Sequence, residues 1–148
     1  LKFYYGDLTE RQFRNIFKKA SNTKGDTSQI LIELLERRLD ATVYRMKFVP
    51  TIFAARQLVN HGHVKVNGKR VNIPSFSVSD GDEISIKDKS KEINLIVESI
   101  SSQEREIPEY LEVDVKELKG RFLRAPLIHD VPYPVTMEPN LVIEYYSR

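Results

Sequence analysis

The chain has 148 residues, of which 41% are hydrophobic and 30% are charged, and it contains no cysteine. Disulfides, thiolate catalysis and cysteine-based metal sites are therefore excluded, and a membrane partner is not expected, because no apolar run approaches the roughly 18 residues of a membrane-spanning helix. The net charge of +2 hides an asymmetry: residues 1–70 carry 14 Lys and Arg against 6 Asp and Glu, whereas residues 71–148 carry 9 against 15. The first part suits a polyanionic partner, unless the fold mixes the two parts in space.

The first predicted helix begins at Thr9, which forms a capping-box pattern with Gln12. Apolar residues then recur at helical spacing through residue 20. The opposite face carries three cations without an acidic partner among them: Arg11, Arg14 and Lys18. A solvated helix surface and a phosphate-binding surface are both compatible with this pattern, and the missing acidic partners favour the second.

Two further helices are predicted before residue 61. One runs over residues 30–46 as a single piece, and the segment 47–50 ends it because the residue before proline resists the helical conformation. The other is capped by Thr51 and extends through residue 60.

A β-hairpin follows the third helix. Gly62 stands where a helix ends in a left-handed residue, residues 63–66 alternate, and Asn67-Gly68 is the sequence of a type I′ turn, from which residues 69–71 return. A further strand is predicted over residues 83–87.

The remaining chain changes character. An amphipathic helix is predicted over residues 93–100, a short strand over 111–113, and a helical turn over 115–118 followed by extended chain. Residues 141–146 have the composition of a strand or an extended terminal segment. Together these elements predict an α+β fold.

The sequence carries no catalytic constellation and implies no cofactor. It lacks a nucleophile elbow and a phosphate-binding glycine loop. His61 and His63 are two residues apart with no third ligand nearby, so a metal site is not expected. With catalysis and metal binding set aside, the remaining function class is binding to another macromolecule.

Basic and polar residues converge in sequence on one helix–hairpin junction. They are Arg45, Lys47, Thr51, Arg56, Gln57, His61, His63, Lys65, Asn67, Lys69 and Arg70. In A-form RNA the base edges lie in a deep groove that side chains cannot enter. A rigid cationic surface of this kind is therefore expected to contact phosphates and 2′-hydroxyls and to recognise the shape of a junction. An aromatic platform for single strands is missing, which favours structured RNA.

Several motifs identify a family. The segment from 38 to about 87, with RLD…VYR, ARQLV, HGH, VNGK and VNIPS, resembles the S-four RNA-binding module. The stretches YYGDLTERQFRNIFKKA, LIELLERRLD and LVIEYYSR extend the resemblance to nearly the whole chain. The chain is similar to the bacterial-type family of small-subunit ribosomal protein S-four.

The resemblance implies a mainly helical rRNA-binding domain of residues 1–36, completed by 137–148, into which an α+β domain of residues 37–136 is inserted. It implies a structural, non-enzymatic protein that binds a multi-helix junction of 16S-type rRNA, nucleates subunit assembly and influences decoding accuracy. Neighbouring ribosomal proteins, including S-five, are implied partners, mRNA is a further candidate, and the location is cytoplasmic and ribosome-bound. The resemblance also implies that the family's N-terminal extension is missing from this sequence.

The chain departs from the family pattern at a few positions. Lys47 stands where Gly is usual, a basic or polar residue is lost at Ile52, and Ser79-Asp80 replaces the usual Lys-Pro. Two alternatives stay open. One is a fragment of an RNA-modifying enzyme similar to pseudouridine synthases, and the other is a protein-interaction scaffold, which explains the acidic second part but not the basic cluster.

Overall fold

The computed structural model describes Tyr5, residues 8–102 and residues 105–131. The helices are α1 (Glu10–Ser21), α2 (Thr27–Glu36), α3 (Leu39–Arg45), α4 (Ile52–Asn60) and α5 (Asn94–Ser101). The strands are β1 (Val64–Val66), β2 (Lys69–Arg70), β3 (Glu83–Ile86), β4 (Leu111–Asp114) and β5 (Lys119–Phe122). Short 3₁₀ helices occupy Asp88–Ser90 and Ile128–Asp130. The α+β prediction is confirmed, and the predicted terminal strand lies outside the described residues.

The caps predicted for two helices are present. The backbone N–H of Gln12 donates to the Thr9 hydroxyl at 3.1 Å, and the Gln12 side chain accepts from the Thr9 N–H at 3.0 Å, which completes the capping box of α1. At α4, the Thr51 hydroxyl accepts from the N–H of Ala54 at 3.0 Å. These bonds satisfy backbone donors that a helix start leaves unpaired.

The prediction of one helix over residues 30–46 is wrong, because the chain breaks between α2 and α3. Arg38 has an extended backbone, with φ −61° and ψ 139°. The N–H groups at the start of α3 are taken by a distant segment: Leu39 donates to the carbonyl of Phe76 at 2.9 Å, and Asp40 donates to that of Pro74 at 3.1 Å. Tertiary hydrogen bonds thus override a favourable local helical pattern.

The hairpin prediction is confirmed. Asn67 and Gly68 have φ of 51° and 82°, as a type I′ turn requires. The five strands form one antiparallel sheet in the order β2-β1-β3-β5-β4. The sequence did not predict β5, which follows the turn at residues 115–118 and pairs with both β3 and β4.

The core forms two adjoining clusters. The larger one packs α3, α4 and α5 against the inner face of the sheet. The smaller one joins α1 and α2 to Ala41 and Ile52, and Tyr44 packs against both clusters. Among the described residues, no helix is long and apolar enough to cross a membrane.

A buried polar network crosses the boundary between the two core clusters. The carboxylate of Glu36, which is fully buried, accepts hydrogen bonds from the hydroxyls of Tyr5 and Tyr110, the latter at 2.6 Å. The guanidinium Nε of Arg45 lies 3.0 Å from the same carboxylate. The network therefore ties the end of α2 to α3 and to the residue before β4.

Candidate RNA-binding surface

The turn between α4 and β1 brings Arg70 back over the end of the helix. Gly62 has φ of +81°, and a Cβ added there would lie 2.3 Å from Nη2 of Arg70. Glycine suits the left-handed backbone at this position, and any larger residue would displace the guanidinium of Arg70 from the turn. The hairpin folds Arg70, seven positions after His63, onto the turn that carries both histidines.

Positive charge accumulates around His63. Its ring lies 6.3 Å from that of His61, and its Nδ1 shares a 2.6 Å hydrogen bond with Ser90 Oγ. Burial lowers the pKa of His63 below its ordinary value, and the positive charges of His61, Lys87 and Arg70 lower it further. The five residues that share this region are called the junction cluster: His61, His63, Lys65, Arg70 and Lys87.

The cations of the junction cluster lack acidic partners. Within the described part of the chain, no carboxylate lies within 4.0 Å of the charged groups of Lys65, Arg70 or Lys87. Lys65 also stands directly opposite Arg70 across the β1–β2 pair. Like charges in this register destabilise a sheet by a few tenths of a kcal/mol or more, and an anionic ligand removes that cost.

Lys87 is not among the RNA contacts predicted from the sequence. Its backbone N–H donates to the carbonyl of His63 at 2.8 Å, which fixes it beside the cluster. Within β3, Glu83 and Ser85 alternate with the buried isoleucines, and Lys87 directly after the strand continues this alternation in the sequence. That period of two was the signal available in the sequence.

Other residues that the sequence predicts to contact RNA lie around the junction, and some of their side chains already form hydrogen bonds within the protein. Gln57 and Lys69 are exposed. Asn67 is exposed too, but its amide donates to Asp82 at 2.9 Å and accepts from the N–H of Glu83 at 2.9 Å. Its side chain therefore holds the hairpin to β3, as that of Thr51 caps α4. RNA contacts by these residues stay predictions.

Arg56 is partly committed to the fold. Its side chain is 29% exposed, its Nε lies 3.5 Å from the buried Asp40 carboxylate, and its Nη2 donates to the carbonyl of Tyr5 at 2.9 Å. Asp40 also receives a two-pronged contact from Arg38, at 3.1 and 3.0 Å. A change at Arg56 therefore affects the fold as well as any RNA contact.

Arg45, which the sequence predicts to contact RNA, is buried in the fold. The residue is 6% exposed, and its guanidinium is directed at Glu36. Burial, the largest single effect, lowers the pKa of Arg45, but the charge and hydrogen bond of Glu36, together with Tyr5 and Tyr110, raise it above its ordinary value. Arg45 neutralises a buried acid instead of presenting charge to a ligand.

Lys47 has contacts with α5 instead of the hairpin. Its φ is 71°, a left-handed conformation that suits the glycine usual at this position in the family. Its carbonyl accepts from the Ser99 hydroxyl at 2.8 Å, and with Arg105 it lines a cavity of about 160 Å³. Arg105 is engaged by the carbonyls of Tyr44 and Val49 at 2.8 and 2.5 Å.

A second basic surface lies on α1. Arg11, Arg14 and Lys18 are exposed, whereas Phe13 and Phe17 on the other side are buried. Among the residues that the structure describes, none of these three cations is paired with a carboxylate. Their exposure is confirmed, and their contact with RNA stays a prediction.

Comparison with known proteins decides the family. Residues 1–36 match the family described as "Ribosomal protein S4/S9 N-terminal domain", and residues 37–84 match "S4 domain". Proteins named "Small ribosomal subunit protein uS4" from Ruegeria sp. (strain TM1040) and Paramagnetospirillum magneticum are each 62% identical over all 148 residues. The chain covers 72% of the length of each.

The chain belongs to the uS4 family of small ribosomal subunit proteins. It is accordingly a structural constituent of the ribosome and not an enzyme, and nothing in the comparisons supports the RNA-modifying alternative. In the part of the chain that the structure describes, no three His, Cys, Asp or Glu side chains are grouped so as to hold a metal ion.

Proposed function

We propose that this chain binds a multi-helix junction of 16S-type rRNA through the junction cluster and the basic face of α1. The observation that carries the proposal is the concentration of cations without acidic partners around Gly62, in a uS4-family protein. Such charges are costly to hold together and become favourable when they displace counterions from a nucleic acid backbone.

The shape of the site favours folded RNA. The junction cluster lies on a rigid turn between a helix and a two-stranded ribbon, and its donors include a planar guanidinium and two imidazoles. A guanidinium matches the geometry of a phosphate with two parallel hydrogen bonds. Phosphates and 2′-hydroxyls of A-form helices are within reach of such a convex surface, whereas base edges are not.

The family supports a wider role. We infer that binding to the rRNA junction nucleates assembly of the small subunit, that ribosomal proteins including S-five are neighbours, and that the bound protein influences decoding accuracy near the path of mRNA. The chain would act in the cytoplasm as part of the ribosome. The division into residues 1–36 with 137–148, and 37–136, belongs to the same proposal.

Binding of the purified chain to naked small-subunit rRNA, with no other protein present, tests the proposal. We expect a saturable complex that a structured large-subunit rRNA fragment of equal length does not compete away. The logarithm of the affinity should fall steeply and linearly with the logarithm of the salt concentration. Equal affinity for both RNAs, or an affinity indifferent to salt, would contradict the proposal.

A further inference from the structure

The outer face of the sheet continues the basic surface beyond the hairpin. Strand pairing places Lys65 opposite Arg70 on one side and Ser85 on the other, and Ser85 opposite Lys119. These four side chains form one row across β2, β1, β3 and β5. Neighbouring strands lie about 4.8 Å apart, so the row is about 14 Å long.

Lys119 has no acidic partner within 4.0 Å among the described residues. Asp114 stands opposite it in the β4–β5 pair, and one oxygen of its carboxylate is bonded to the following turn. Its Oδ1 accepts from the N–H of Lys116 at 3.1 Å and from that of Glu117 at 3.2 Å, which fixes it to the turn. The Lys119 ammonium therefore makes no ion pair among the described residues, although the Asp114 carboxylate faces it across the strand pair.

Arg121, the next cation along β5, differs from Lys119 in its acidic neighbours. Arg121 lies on the same face two residues away, its Nη2 is 3.7 Å from a Glu83 oxygen, and Glu112 stands opposite it. Arg121 thus has a carboxylate within ion-pair distance, whereas Lys119 has none among the described residues. Of these two β5 cations, the one without an ion-pair partner lies in the row that begins in the junction cluster.

We propose that the row Arg70–Lys65–Ser85–Lys119 binds the sugar–phosphate backbone of the rRNA, so that Lys119, from the acidic second part of the sequence, is an RNA contact. The row is continuous with the junction cluster, and its charge complements a polyanion. The Ser85 hydroxyl supplies a neutral hydrogen-bond donor between the cations. This inference depends on the proposed function.

Neutralising single cations on β5 tests it with a matched control. In the full chain, Lys119→Gln should weaken binding to small-subunit rRNA about five- to tenfold near 0.1 M salt and reduce the salt slope by about one. Arg121→Gln removes the same charge from the same strand and face, and should change the affinity less than about twofold, because its charge already has a carboxylate within ion-pair distance. Unfolding curves of both variants establish that each is folded.

The outcomes separate this inference from the function on which it depends. If the unaltered chain binds rRNA and Lys119→Gln binds equally well, the inference is wrong while the proposed function stands. If the unaltered chain does not bind, the proposed function is wrong. Since the chain has no cysteine, a photo-crosslinker on Lys119→Cys reports the neighbour directly in reconstituted subunits: crosslinks to rRNA support the inference, and crosslinks to protein alone overturn it.

Discussion

Nε of Arg45 lies 3.0 Å from Oε1 of Glu36, and the two side chains are 6% and 0% exposed. Charge counts along the sequence assign Arg45 to the basic surface, but the fold uses it against a buried acid. The hydroxyls of Tyr5 and Tyr110 complete the shell of the carboxylate. This pair holds α2 and α3 together across the break at Arg38.

Glu36→Ala should destabilise the protein by about 3 to 5 kcal/mol, because it leaves the Arg45 charge buried without its partner. Asp80→Ala is a suitable control. It removes the 2.8 Å contact between Asp80 and Arg37, in which the Asp80 side chain is 59% exposed. A surface pair of this kind is worth about 1 kcal/mol or less. Denaturant unfolding measures both losses, and equal losses would contradict the role given to Glu36.

Charge reversal should separate RNA contact from fold. Lys69→Glu should weaken rRNA binding by about 1 to 3 kcal/mol, the range of a charged hydrogen bond, and leave the free energy of unfolding nearly unchanged, because Lys69 is exposed. Arg56→Glu should lower both quantities, since it places a second acid beside the buried Asp40. Paired binding and unfolding measurements test this. A variant at Lys69 that binds normally would remove it from the RNA surface.

Two glycines offer a test of how Arg70 is positioned. Gly62→Ala forces the new Cβ against the guanidinium of Arg70, whereas a Cβ at Gly68 meets nothing within 4 Å. Both positions have φ above +80°, so both alanines should cost about 1 kcal/mol of stability. Only Gly62→Ala should also reduce rRNA affinity.

The combination with Arg70→Ala makes this test stringent. In that background, Gly62→Ala should have no further effect on affinity, because the side chain that it displaces is gone. Affinity measurements on the two single variants and the double variant form the cycle. Additive losses would mean that Gly62 acts on binding by another route.

His63 should make stability depend on pH. Because its pKa is lowered in the folded state, the unfolded chain takes up the proton at a higher pH, near the ordinary value of about 6.5. The stability of the free protein should therefore decrease as the pH falls below about 6.5 and through the folded pKa. His63→Gln should reduce this decrease in unfolding measurements made between about pH 8 and pH 5. An unchanged pH profile would exclude His63 as its source.

The same group should affect RNA binding in the opposite direction. A phosphate beside His63 stabilises the imidazolium, so binding takes up a proton and the affinity should rise as the pH falls from about 7.5 to 6. His63→Gln should bind with a smaller rise. Affinities of both proteins at the two pH values decide the matter, and an equal rise in both would argue against contact at His63.

Local sequence was sufficient where local bonds decide the structure. The capping box at Thr9, the cap at Thr51 and the Asn67-Gly68 turn each depend on residues within four positions, and all are present. The break between α2 and α3 depends on carbonyls at Pro74 and Phe76. A pattern read within residues 30–46 has no access to partners so distant in sequence.

The candidate site shows the same division. Exposed cations on α1 and the hairpin could be predicted from periodicity. Residue type alone, however, does not distinguish a buried arginine from an exposed one. Only the position of Glu36 in the fold shows that Arg45 is structural. Lys87 and Lys119 were missed because they belong to an acidic stretch. Strand pairing, which sequence does not specify across long connections, brings Lys87 beside His63 and Lys119 beside Ser85.

The buried carboxylate of Glu36 bears on how the chain matures during its own synthesis. Its partners arrive from the exit tunnel in order: Tyr5 first, Arg45 next, and Tyr110 only after 74 more residues have been added to Glu36. Until then the Glu36 carboxylate lacks one of its hydrogen-bond donors. Burying it in that state is unfavourable, so the helices around it should remain solvent-exposed. Nascent chains arrested before Tyr110 emerges should consequently be digested by a protease within α2, and those released after it should resist.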